Sequence, residues 1–210
     1  MKRFALPIIL FLASLLAGCT VAPLVRGSKL QEDAAPINGL VVQIFAGELG
    51  QFENLNSTEI TSYRTAFATA FSTRFPEILK ANGLTVPVTQ VYLGTPPNSL
   101  PFQIPTANAS HQLILLMTGI RYSTRGGSKD GYAGVLFKAR LIETSTKKVV
   151  WTSSPSLTLH PHQPNRQTEH FAASIINGLA EAKLIKLGGQ FAMDLKGEPI
   201  HYSTMLHADK

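Results

Sequence analysis

The feature that most constrains this chain is how its apolar residues change period along the sequence, from strand-like to helical and back. Ile37 to Phe45 (INGLVVQIF) is a β-branched apolar run suited to a buried strand. Asn56, with Glu59 three residues later, then has the form of a capping box. Ile60, Tyr63, Phe67, Phe71, Phe75 and Ile78 follow at spacings of three and four, which is one face of a helix. Pro76 predicts a kink or restart near Phe75, and Asn82-Gly83 a stop. Leu84 to Leu93 is strand-like, but Pro87 removes a ladder donor and confines it to an edge or an interrupted strand. Residues 94–110 hold four prolines and no period, the mark of a long loop. His111 to Thr124 contains LILLMTGI, apolar on both faces as a central strand is. Tyr132 to Glu143 and Lys148 to Leu159 follow across turns at 125–131 and 144–147, giving two consecutive hairpins. A second helix buries Phe171, Ile175, Ile176, Leu179 and Ala182, with Asn165 or Thr168 as its cap, and ends before Gly188-Gly189. The order predicts one α+β domain: a mixed sheet with a three-strand meander towards its C-terminal part and two main helices packed on one face.

The N-terminus has a different character. Lys2 and Arg3 precede an apolar stretch, Phe4 to Leu15, that is too short to span a bilayer, and small residues lead to Cys19. Cys19 is the single cysteine, so no disulfide within the molecule and no cysteine-based zinc site is available. The string Leu16-Ala17-Gly18-Cys19 resembles the lipobox of bacterial lipoproteins. That resemblance implies cleavage before Cys19, a thioether-linked diacylglycerol on its sulfur and acylation of the new amino group. Thr20 follows in place of an aspartate, which by resemblance to the sorting pattern of enteric-type bacteria implies the outer membrane, facing the periplasm. The expected organisation is a signal peptide over 1–18, a lipidated tether over 19–36, an α/β envelope domain over 37–187 and a tail over 188–210.

Composition excludes several alternatives. Hydrophobic residues make up 44% and charged residues 15%, as in a folded globular chain and not a disordered one. The precursor's net charge of +6 becomes +4 without Lys2 and Arg3, a mild excess that gives no case for nucleic acid.

The segment Tyr132 to Thr152 (YAGVLFKARLIETSTKKVVWT) resembles a hairpin found in a group of bacterial envelope proteins, in which a strand ends in an acidic residue, turns through a Thr/Lys-rich loop and continues as V-V-W. The group comprises the curli-secretion lipoprotein, the lipoprotein activators of penicillin-binding proteins and the N-terminal domain of the Tol-system propeller protein. The turn here reads Glu143-Thr144-Ser145-Thr146-Lys147, where the group often has Asp-x-x-Thr-Gly-Lys, and long pore-forming insertions are lacking. The resemblance implies a protein that binds and positions other proteins, and it carries over no catalytic residue and no cofactor.

Residue chemistry points the same way. His160, His162, Glu169 and His170 are the one cluster with the composition of a zinc site, but Pro161 and Pro164 make the segment a loop and no Glu-x-x-His helix motif accompanies it. Ser123, Ser128 and Asp130, with His111, lack a G-x-S-x-G elbow. No metal, cofactor or catalytic residue is therefore expected, and a small envelope enzyme using the histidine loop, or a carrier of an apolar ligand, stands as the alternative. Seven basic residues against two acidic ones between Arg121 and Lys148 give that stretch a net charge of +5. With the second hairpin turning about Ser145 and Thr146, Phe137, Ala139, Leu141, Val149 and Trp151 face the helices. Lys138, Arg140, Thr152 and Ser154 fall on the other face, which is solvated if only one face of the sheet is covered. Arg121, Arg125, Lys129, Lys138 and Arg140 are the candidate docking residues for an envelope protein or cell-wall polymer.

Overall fold

The computed structural model describes residues 27–46, 57–93, 109–124, 131–159 and 163–200. Its strands are β1 (Gly27–Lys29), β2 (Leu40–Phe45), β3 (Val88–Tyr92), β4 (His111–Thr124), β5 (Gly131–Glu143), β6 (Val149–Ser153) and β7 (Ser156–Leu159). The helices are α1 (Ser57–Ala81) and α2 (Pro164–Glu181). One mixed sheet of seven strands runs β1-β6-β5-β4-β2-β3, with β7 paired to β5 beyond the end of β6. β2 is parallel to both β3 and β4, and the remaining pairs are antiparallel. This is the predicted α+β domain, with β4, β5 and β6 as the meander and both helices on one face.

The helical stripe is the centre of the core. Phe67, Phe71 and Phe75 are fully buried and stack along α1 at centroid distances of 4.4 and 5.5 Å. Phe137 from β5 and Phe171 from α2 close over them, 5.2 Å apart. α1 continues through Pro76 as one helix instead of restarting. It ends where expected: Gly83 takes φ +85°, and the amides of Gly83 and Leu84 donate to the carbonyls of Lys80 and Leu79. That pair of bonds is a Schellman motif. α2 ends in the same pattern with Lys183 at φ 58°, six residues sooner than Gly188-Gly189 suggested. Its start also differs, since Pro164 occupies the first turn, Gln163 is the cap residue without a side-chain bond, and neither Asn165 nor Thr168 caps it.

Three further expectations are corrected. The stretch read as a tether contributes the edge strand β1, because Gly27–Lys29 pair with Ser153–Trp151. The expected strand Lys148–Leu159 divides at Ser154-Pro155 into β6 and β7, both paired with β5. Pro155 offers no N–H, and its carbonyl accepts from the Phe137 amide at 2.9 Å. The hairpin register is as predicted, with Leu141 opposite Trp151 and Arg140 opposite Thr152, but a bulge follows. The bulge pairs Val149 with Ile142 and sends Val150, not Val149, into the core.

The segment after 187 is also more than a tail. Ala192 is buried, its amide donating to Asn177 Oδ1 at 2.9 Å. Asn82 Oδ1 accepts from the Met193 amide at 2.8 Å, and Asn82 Nδ2 donates back to the Met193 carbonyl. Two asparagines near the helix ends thus hold residues 192–193 on the domain, using polar groups whose targets lie 15 and 111 residues away.

Candidate functional site

The docking face that strand alternation predicts centres on β5. Lys138 and Arg140 are two residues apart and exposed, while Phe137, Ala139 and Leu141 between and beside them are buried. Alternation places both cations about 7 Å apart on the face away from the helices. Lys138 stands opposite Leu116, and Arg140 lies between Ile114 and Thr152. Leu136, next on the same face, is 40% exposed. Arg121 is placed in β4 opposite Gly134. Arg125, Lys129 and Cys19 lie outside the described residues, so two of the five candidate cations are brought together with their side chains described.

This face is not uniformly solvated, which corrects the sequence reading. Over β2 and β4 it is buried, with Val41, Gln43, Phe45, Gln112 and Ile114 all at most 4% exposed. Parallel strands buried on both faces read as near-continuous apolar runs, as β2 does. Within that half lies a polar chain that sequence reasoning missed. Gln112 Nε2 donates to Gln43 Oε1, Gln43 Nε2 donates to Gln90 Oε1 at 3.1 Å, and the Tyr92 hydroxyl donates to the same Gln90 oxygen at 2.7 Å. Its only sequence signal is a glutamine inside each of three apolar runs. The basic pair therefore flanks a sheet face whose other half is already covered.

Of the histidine cluster, Glu169 and His170 lie among the described residues. Glu169 pairs with Arg74 of α1 at 3.2 Å, and Arg74 also binds Glu77 at 2.9 Å. Among the described residues no group of three or more metal-ligating side chains converges. His160 and His162 lie outside the described residues, as do Ser128 and Asp130. His111, grouped with the hydroxyls in the hydrolase reading, is a buried core residue at the start of β4. Its Nδ1 lies 2.9 Å from Ser110 Oγ, which also accepts from the amides of Asn38 and Gly39, and its Nε2 is buried without a partner. An open groove of about 520 Å³ at the C-terminal ends of both helices is lined by Ile37, Gly83, Leu84, Lys183 and Leu184 among others.

Burial holds the His111 and His170 imidazoles below their ordinary pKa, with Glu143 partly opposing the shift at His111 and Arg166 adding to it at His170. The unfolded chain then takes up protons first as pH falls through about 6.5, so folding stability is complete above that value and declines below it. Glu169 is shifted upward, chiefly by burial, and has the opposite sign: its contribution is lost as pH rises from the ordinary carboxylate range. Denaturant midpoints should fall between pH 7 and pH 5.5, and His111→Gln should flatten the fall. A midpoint independent of pH in the native chain would contradict the buried neutral imidazole.

No family model and no curated protein matches the chain. Solved structures do resemble it. The PelC dodecamer of Paraburkholderia phytofirmans is similar at 18% identity, covering 77% of this chain and 98% of that one with a TM-score of 0.41. Lipoprotein GNA1162 of Neisseria meningitidis is similar at 15% identity, covering 70% and 99% with a TM-score of 0.33. Protein XCC0632 of Xanthomonas campestris is similar at 12% identity, covering 72% and 92% with a TM-score of 0.35. All three are bacterial proteins, GNA1162 is described as a lipoprotein, and none is one of the curli, penicillin-binding-protein-activator or Tol proteins named from the hairpin.

Proposed function

We propose that this chain is a lipid-anchored protein of the bacterial envelope, held on the periplasmic side of the outer membrane, which acts without catalysis by docking an acidic partner. The observation that carries the reading is the run from Lys2 through the apolar Phe4–Leu15 to Leu16-Ala17-Gly18-Cys19, with Thr20 after it. No helix among the described residues is long and apolar enough to cross a membrane; in this reading the acylated Cys19 is the point of attachment. A second and third acyl chain make such attachment stable, since each buried CH₂ contributes about 0.8 kcal/mol. Feeding cells a palmitate analogue should label the native chain, and the label should migrate with outer-membrane fractions. An unlabelled chain would overturn the reading.

Lys138 and Arg140 supply the docking chemistry. They are exposed on one strand, they belong to a stretch of net charge +5, and the partner they suit is an acidic envelope protein or anionic cell-wall polymer. Association through such a face is salt-sensitive, because exposed charges are screened beyond about 10 Å at 0.1 M salt. Lys138→Glu combined with Arg140→Glu should leave the melt unchanged and remove partner crosslinks formed at low salt. Undiminished crosslinking by the double variant would take this face out of consideration.

A further inference from the structure

Strand β1 stands between the attachment point and the core, and one glycine allows it to dock. Trp151 of β6 is fully buried, and its indole nitrogen has no hydrogen-bond partner. The indole lies so close against Gly27 that a methyl group at that position would overlap the ring nitrogen and its neighbouring carbons. β1 pairs with β6 in the register Gly27↔Ser153, Ser28↔Thr152, Lys29↔Trp151, and the Leu30 amide adds a bond to the Val150 carbonyl at 2.8 Å. The next backbone bond to the core after that turn is Ile37, whose amide donates to the Leu184 carbonyl at 2.9 Å.

We infer that the Gly27–Trp151 contact is a clasp that sets how far the domain stands from the lipid surface. This inference rests on the lipidation of Cys19. Eight Cα steps separate Cys19 from Gly27, which at about 3.5 Å each gives a maximum reach of about 28 Å. Were β1 released, the first fixed residue would be Ile37, eighteen steps away, and the reach would grow to about 63 Å. A flexible chain's mean span grows with the square root of its length, so release widens the average stand-off as well as the maximum. The clasp thus selects a partner within a few tens of ångströms of the bilayer, and the choice of glycine at 27 is part of that selection. Any side chain there meets a rigid indole that the core already encloses.

The test uses the full-length acylated chain in vesicles of phosphatidylethanolamine and phosphatidylglycerol with a rhodamine-labelled lipid. Ser145→Cys, in the exposed β5–β6 turn, takes a donor dye, because Cys19 is blocked by its thioether. Gly27→Val should speed hydrogen exchange at the Leu30 amide by at least tenfold, leave exchange at Leu113 in β4 unchanged, and lower energy transfer to the lipid dye. A Gly/Ser insertion between Arg26 and Gly27 should lower transfer equally while the Leu30 amide stays protected. A protected Leu30 amide in Gly27→Val, or released Leu30 with unchanged transfer, overturns the clasp. Native chain without acyl mass overturns the lipidation reading and the stand-off with it, whereas acylated protein with unchanged transfer overturns the stand-off alone.

Discussion

Phe71→Ala should destabilise the domain by about 3–5 kcal/mol, because a deleted buried aromatic loses its transfer free energy and leaves a cavity that relaxes only in part. The ring is 0% exposed, stacked between Phe67 at 4.4 Å and Phe75 at 5.5 Å, and meets Phe171 edge-on at 5.5 Å. Phe137 lies across from it at 6.5 Å. Such pairs add about 0.5–1.5 kcal/mol beyond area burial, so removing the ring at the centre of four neighbours takes more than one of these terms away. Its neighbours come from α1, α2 and β5, and collapse around the void would have to move two helices relative to the sheet. Domains of this kind have total stabilities of about 5–15 kcal/mol, so the variant should sit near the edge of folding. Phe71→Leu, which keeps most of the volume, should cost far less. A denaturant melt showing a loss below about 1 kcal/mol would mean that α1 presents this stripe to something other than the core.

The same stripe shows what the sequence could reveal. Six apolar residues at helical spacing identify α1 and its buried face, since burying a continuous side of a helix demands that period. Alternation along β5 with the turn at Ser145-Thr146 was enough to pair Leu141 with Trp151. Local signals fail where a partner distant in sequence decides the outcome. Gly27-Ser28-Lys29 has no apolar alternation, and it is a strand because β6 offers an open edge and Trp151 a place for a residue without a side chain. Asn82 reads as a helix stop, and its amide also secures residue 193. Gln43, Gln90 and Gln112 look like interruptions of apolar runs until three adjacent strands bring their amides into one chain. Lys138 and Arg140 were legible as a face, but the covering of the adjacent β2–β4 half was not, because alternation assigns sides and says nothing of what lies above them.

Cys19→Ala should abolish acylation altogether, with no residual labelling by a palmitate analogue. The chain contains one thiol, so no second thiol exists to accept the diacylglyceryl group. The resemblance to a lipobox implies an ordered sequence of steps in which the thioether forms first and the peptidase then cuts before the modified residue. Alanine has no nucleophile, the thioether does not form, and the precursor should persist uncleaved. Attachment should fail for a physical reason as well. The apolar stretch Phe4–Leu15 is shorter than the roughly 20 residues a spanning helix needs, and no described helix replaces it. Fold and attachment are separable in this variant, because Cys19 precedes β1, the first strand among the described residues, by eight residues. The alanine variant should therefore match the native domain in its denaturant midpoint while disappearing from outer-membrane fractions. Labelling at the native level in Cys19→Ala would show that the lipid is carried elsewhere or that the export signal is of another kind, and the stand-off inferred from Cys19 would fall with it.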